Sequence, residues 1–166
     1  MVDKTQIENN LTQISAIFQK HIGDNEAPYY SKLAILEACG WIEESMDEII
    51  RDCANKHLKD QKNLNYVEEC IRDTHSFKYE TNFRKMLIQT IGLINIEKLE
   101  HVFDTKKFIQ MTSSLGELKQ RRDDQAHTYV KGTTLTIDAP SWTQRRFLNV
   151  YEGLKDIESS IYKIGL

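Results

Sequence analysis

Seven Gly and two Pro are spread over 166 residues, and this scarcity of chain breakers constrains the fold more than any other feature. A many-turned β domain needs Gly and Pro at its reversals, whereas long helices do not. Apolar residues recur at spacings of three and four along most of the chain, the period of one helix face. Ile7, Leu11, Ile14, Phe18 and Ile22 mark a first helix over 3–22, with Thr5 and Glu8 spaced as a capping box. Leu33, Leu36, Cys39, Ile42, Met46, Ile49, Ile50 and Cys53 mark a second over 29–58, after a loop at 23–28. Gly40 inside this helix reads as a place where another helix comes close.

Residues 59–63 read as a connection, and Asn65 with Glu68 as the start of a short third helix. Residues 74–82 have no clear period. A helical stretch follows over Phe83, Leu87, Ile88 and Ile91, ended or bent by Gly92, with Asn95 starting a short turn to Leu99. Phe108, Met111, Leu115 and Leu118 stripe a helix from Lys106 to Tyr129. A Thr-rich loop at 131–140, with room for a short extended piece, leads to Ser141 and Gln144, spaced as a second capping box. The last helix carries Phe147, Val150, Tyr151, Leu154, Ile157 and Ile161. The expected object is an all-α single-domain helical bundle of five to six helices over 1–166, its N-terminal helix packed on a core at 29–163.

Composition narrows the function. With 40% hydrophobic and 28% charged residues, the chain is too apolar for disorder and too polar for a membrane protein. No apolar run approaches the roughly 20 residues of a span, and the start Met1-Val2-Asp3-Lys4-Thr5 has no secretory core. Cys39, Cys53 and Cys70 form no CxxC pair and read as reduced, buried thiols of a cytoplasmic protein. The five His stand far apart, so neither a metal site nor any other cofactor is expected. Residues 1–100 hold 12 Lys+Arg against 17 Asp+Glu, and residues 101–166 hold 10 against 8. Bulk charge therefore does not draw the protein to nucleic acid, but a basic face in the last third is open to it.

One segment carries chemistry. At about 100° per residue, with Leu115 at zero, Arg122 falls near −20°, in the middle of the apolar seam, while Arg121 falls near −120°. A guanidinium on that seam is costly to bury alone, so it needs a carboxylate, a phosphate or a water-filled cleft. His127 lies five residues on, about 140° round a regular helix. The two meet only if the helix frays near Ala126 or if two copies pool their edges. Asp123, four residues before His127, is placed to orient the imidazole. Arg and His together suit metal-free attack of a ribose 2′-OH on its phosphate, with His moving the proton and Arg gripping the anion. The plainer alternative is Arg122 bonded to a core acid such as Glu43 or Glu44, with His127 as a helix cap.

The run Arg122-Asp123-Asp124-Gln125-Ala126-His127 resembles the signature of the HEPN superfamily of helical ribonucleases and nucleotide-binding domains: Arg, a polar residue, then His after four positions, on the helix before the last. Its flanks, Leu118-Lys119-Gln120-Arg121-Arg122, and the acidic stretch Ile35-Leu36-Glu37-Ala38-Cys39-Gly40-Trp41-Ile42-Glu43-Glu44 are similar to the RiboL-PSP-type branch. Asp123 stands where many members have Asn, and Thr128 where a small residue often follows the His. The resemblance implies a homodimer with one RNA cleft, metal-independent endoribonuclease activity through Arg122, His127 and Asp123, and a toxin or antiphage role with an antitoxin or defence-system partner. It implies an acidic helper on Glu43, with Glu44 and Glu37 close in spacing. Tyr129, two residues after His127, continues the seam towards the same site. Lys119, Arg121, Lys131, Arg145 and Arg146 are the basic residues nearest to it for RNA phosphates. The superfamily also holds non-catalytic members that bind RNA, nucleotide or protein. Trp41 and Trp142 read as packing groups rather than base-stacking ones.

Overall fold

A computed structural model describes residues 1–126 and 138–166. Among them are seven helices: α1 (Thr5–Lys20), α2 (Ala27–His57), α3 (Gln61–Arg72), α4 (Arg84–Ile91), α5 (Leu93–Val102), α6 (Thr105–Ala126) and α7 (Pro140–Lys163). No strand occurs among the described residues, and no helix there is long and apolar enough to cross a membrane. The excess over five or six helices arises at Gly92. Its φ of 80° puts it in the left-handed region, where it ends α4 and opens α5.

The helix starts differ from the capping boxes. Asp3 accepts from the Thr5 backbone N–H and hydroxyl, at 2.9 and 2.7 Å, while Glu8 is taken by Lys4. At α7 the first residue is Pro140, whose fixed φ and missing N–H suit that position, and no side chain caps the helix. Asp60 caps α3 by accepting from the Lys62 N–H at 2.9 Å, so the polar run from Gln61 is already helical. Asp104 does the same for α6 through the Lys107 N–H, at 3.0 Å.

The 31-residue α2 is the central rod, about 46 Å long at 1.5 Å per residue. It packs against α1, α3, α4, α6 and α7. Its buried face includes Ile35, Cys39, Ile42, Met46, Ile49 and Ile50. Near its N-terminal end, Ala34 and Ala38 meet Ile7, Leu11 and Ile14 of α1 and Phe147 of α7. Trp41 lies edge-on to Phe147 with ring centroids 4.9 Å apart, and its Nε1–H donates to the Asp3 carbonyl. All three cysteines are buried free thiols. Burial pushes the Cys39 thiol up to about 12, against the pull of Arg122.

Residues 79–83 form one widened π-helical turn running straight into α4. Tyr79 is buried there, edge-on to Phe108 at 4.7 Å, and its hydroxyl donates to Glu100 at 3.0 Å. A polar tip on a mostly apolar ring explains why the segment lacks a helical apolar period.

The close helix approach lies at Gly153, not Gly40. A Cβ on Gly153 would sit 2.5 Å from Met111 Cβ, whereas one on Gly40 meets nothing within 4 Å. Gly40→Ala is therefore expected to stabilise the fold by about 0.5–1 kcal/mol through helix propensity alone. Gly153→Ala carries the same gain but must push α6 from α7, for a net loss of about 1–2 kcal/mol. Chemical denaturation of the two variants checks the opposite signs.

Candidate functional site

A polar cleft of about 520 Å³ opens between α2, α3, the 74–76 turn and α6. The face of α2 supplies Glu43, Asp47 and Arg51, one helical turn apart. Met46, Ile71 and Met86, all buried, form its apolar floor. Arg122 reaches it from α6 and Ser76 from the turn.

The Arg122 guanidinium donates from Nη1 to Glu43 Oε1 at 2.6 Å and from Nε to Asp123 at 3.4 Å. Its Cζ lies 5.0 Å from the ring centroid of Phe77, a cation–π arrangement on a fully buried aromatic. Burial works to lower the guanidinium's pKa, but hydrogen bonding and charge from Glu43 outweigh it, and the net shift is upward. The acid that meets Arg122 is thus Glu43, out of the set Glu37, Glu43 and Glu44. The pair is not sealed in the core: Arg122 keeps 23% of its side-chain surface exposed and Glu43 keeps 39%. The acid partner foreseen in the plainer alternative is present, but at a cleft wall.

Asp123 is held mainly by Lys119, one turn before it on α6, in a close ion pair, and to a lesser degree by Arg122; together they lower its pKa. Lys119 is therefore an orienting partner of Asp123 here. Arg121 and Arg146 do not converge on Arg122. Arg121 pairs with Asp138 at 2.9 Å, and Arg146 pairs with Glu117 at 2.8 Å and stacks on Trp142 at 4.1 Å. Both belong to the α6–α7 flank, with Arg146 a clasp between those helices rather than solvated basic surface. Arg145 is exposed on α7. His127, Tyr129 and Lys131 lie outside the described residues, as does most of the Thr-rich loop.

Two features of the cleft were not singled out in the sequence. Asp47 sits between Glu43 and Arg51 with no hydrogen bond or ion pair to any described residue. Burial raises its carboxyl to about 6; Arg51 opposes this, and Glu43, Glu68 and Glu44 add to it. Arg51 is committed elsewhere, to Glu68 across the cleft at 3.0 Å. Ser76 has φ of 114°, a strained conformation for a residue with a Cβ, and its buried hydroxyl has no hydrogen-bond partner. The spacing of Asp47 from Glu43 was the available signal; for Ser76 the sequence offered none.

Compared with protein-family models, curated proteins and solved structures, the chain matches none.

Proposed function

We propose that the protein is a metal-independent endoribonuclease of the HEPN type, a homodimer in which two Arg122–His127 segments face one RNA cleft. The observation that carries the reading is the setting of Arg122, a guanidinium on an apolar helix seam that borders a polar cleft and stays partly open to solvent. Glu43 holds Nη1 of the fork and Asp123 holds Nε more loosely, so an incoming phosphate is met by Nη2.

The chemistry needs only proton transfer and charge stabilisation. The ribose 2′-oxygen attacks the adjacent phosphorus while an imidazole takes the hydroxyl proton. The bond from phosphorus to the 5′-oxygen breaks, and that oxygen receives a proton, leaving a 2′,3′-cyclic phosphate and a 5′-hydroxyl. His127 serves as base or acid, the partner copy's imidazole is available for the other role, and Arg122 stabilises charge gathering on the phosphate. Asp123, fixed by Lys119, polarises the neighbouring groups. Such an enzyme acts in the cytoplasm as a toxin or antiphage effector restrained by an antitoxin or defence-system partner.

Purified protein should cut RNA in EDTA, and His127→Ala should abolish the cutting. Cleavage that depends on an added divalent ion overturns the mechanism. A second reading, a non-catalytic module that binds RNA, nucleotide or protein at the same cleft, is favoured by the pairing of Arg122 with Glu43, which leaves the guanidinium charge already answered. It requires that no RNA be cut and that His127→Ala leave binding intact.

A further inference from the structure

The cleft holds more than a phosphate grip needs. Its apolar floor of Met46, Ile71 and Met86 has no use for an anion, and its volume of about 520 Å³ exceeds what one phosphate fills. Pockets of a few hundred Å³ with an apolar floor and a few convergent polar groups suit a flat organic ring. Asp47 is a carboxylate with no partner among the described residues, and the Ser76 hydroxyl is buried without one. The groups facing Asp47 are Glu43, Glu44 and Arg51 on its own helix, Glu68 and Arg72 on α3, His75 on the turn and Arg122 on α6. The cations nearest to it are already paired: Arg51 with Glu68, Arg122 with Glu43, and Arg72 with Asp73 at 3.7 Å.

We propose that this cleft is a guanine-reading subsite: Asp47 accepts from the N1–H and N2–H of a guanine base laid on the Met46–Ile71–Met86 floor, beside the phosphate held by Arg122. An ionised carboxylate offers only acceptors. Among the four RNA bases, guanine alone presents two adjacent N–H donors on its Watson–Crick edge. Adenine and cytosine set a lone pair beside their donor, and uracil flanks its one N–H with two carbonyls. An unstacked base read on that edge is the usual route to sequence preference in single-stranded RNA. The Ser76 hydroxyl is a donor for the O6 acceptor that the carboxylate cannot serve. The inference rests on the RNA-cleaving reading for its choice of a nucleotide ligand.

Calorimetric titration of the whole protein with GMP, AMP, CMP and UMP at about pH 8, where Asp47 is ionised, tests it. GMP should bind roughly 10–100-fold more tightly than the others, the discrimination of one good bidentate pair. Asp47→Asn should erase that preference, and Ser76→Ala should weaken it. The preference should also fade as pH falls below about 6, where Asp47 gains a proton. Equal binding of the four nucleotides, binding of none, or an Asp47→Asn protein that still selects GMP overturns the proposal. Asp47→Asn should fold, since it removes a half-buried charge. Its melting temperature should exceed the wild type's at pH 8, and the gap should narrow as pH falls through about 6 and close near pH 4, because native Asp47 takes up its proton at a higher pH than the unfolded chain does. GMP selection without RNA cleavage removes the ribonuclease reading and keeps the subsite; cleavage in EDTA with no preference for guanine at the cut site does the reverse.

Discussion

Arg122→Ala is expected to lower RNA cleavage in EDTA by roughly 10²–10³-fold, the usual consequence of removing one donor from a developing oxyanion. The same change should move the melting temperature by no more than about 4 °C, because a partly exposed pair contributes at most about 1 kcal/mol. Solvent decides the size of the change. Glu43, left behind, keeps 39% of its side chain in water and rehydrates where it stands. Had the pair been sealed, truncating one partner would cost about 3–5 kcal/mol. One mutant therefore gives two readouts that move in opposite senses under the two accounts. A large fall in stability with unchanged cleavage returns Arg122 to a structural role. Arg122→Lys should recover little activity, since an ammonium does not reproduce a planar fork held by Glu43 on one side and phosphate on the other.

The largest loss of stability is expected from Phe147→Ala. Phe147 is 1% exposed and joins three helices, meeting Leu11 on α1, Ala34 and Ala38 on α2, and the edge of Trp41. Emptying that site should cost about 3–5 kcal/mol, or roughly 6–20 °C in melting temperature for a domain of this length. Small Ala34 and Ala38 leave little side chain to collapse into the void. Amide exchange in α1 should quicken, because α1 is anchored largely through this patch. A loss below about 1 kcal/mol would mean that Trp41 swings into the space.

Much of this architecture could be read beforehand. The stripes of α1, α2, α6 and α7 are regular because each helix buries one face, and Gly92 announced its own break. Helix starts were less legible because several side chains compete for the same orphan N–H groups. Asp3 displaced Thr5, Asp60 capped α3 five residues before Asn65, and Pro140 began α7 without a cap. At the site, Arg122 and Glu43 were visible as a charge on an apolar seam and an acid on the facing helix. Asp47 was not, because in sequence a carboxylate at a stripe's margin looks like any acid on a solvated face. Ser76 lies in a turn whose shape follows from where α3 and α4 must go.

The glycine notch on α7 has a consequence that reaches well past its own neighbourhood. Met111 fills the space that a Cβ on Gly153 would take, so α6 and α7 are seated side chain on backbone there. Arg122 lies eleven residues further on, roughly three full turns, and so shares the heading of that nested methionine. The compass bearing of the guanidinium is thus set at a distant bearing point, and a methyl group added there should turn Arg122 away from Glu43 without touching either.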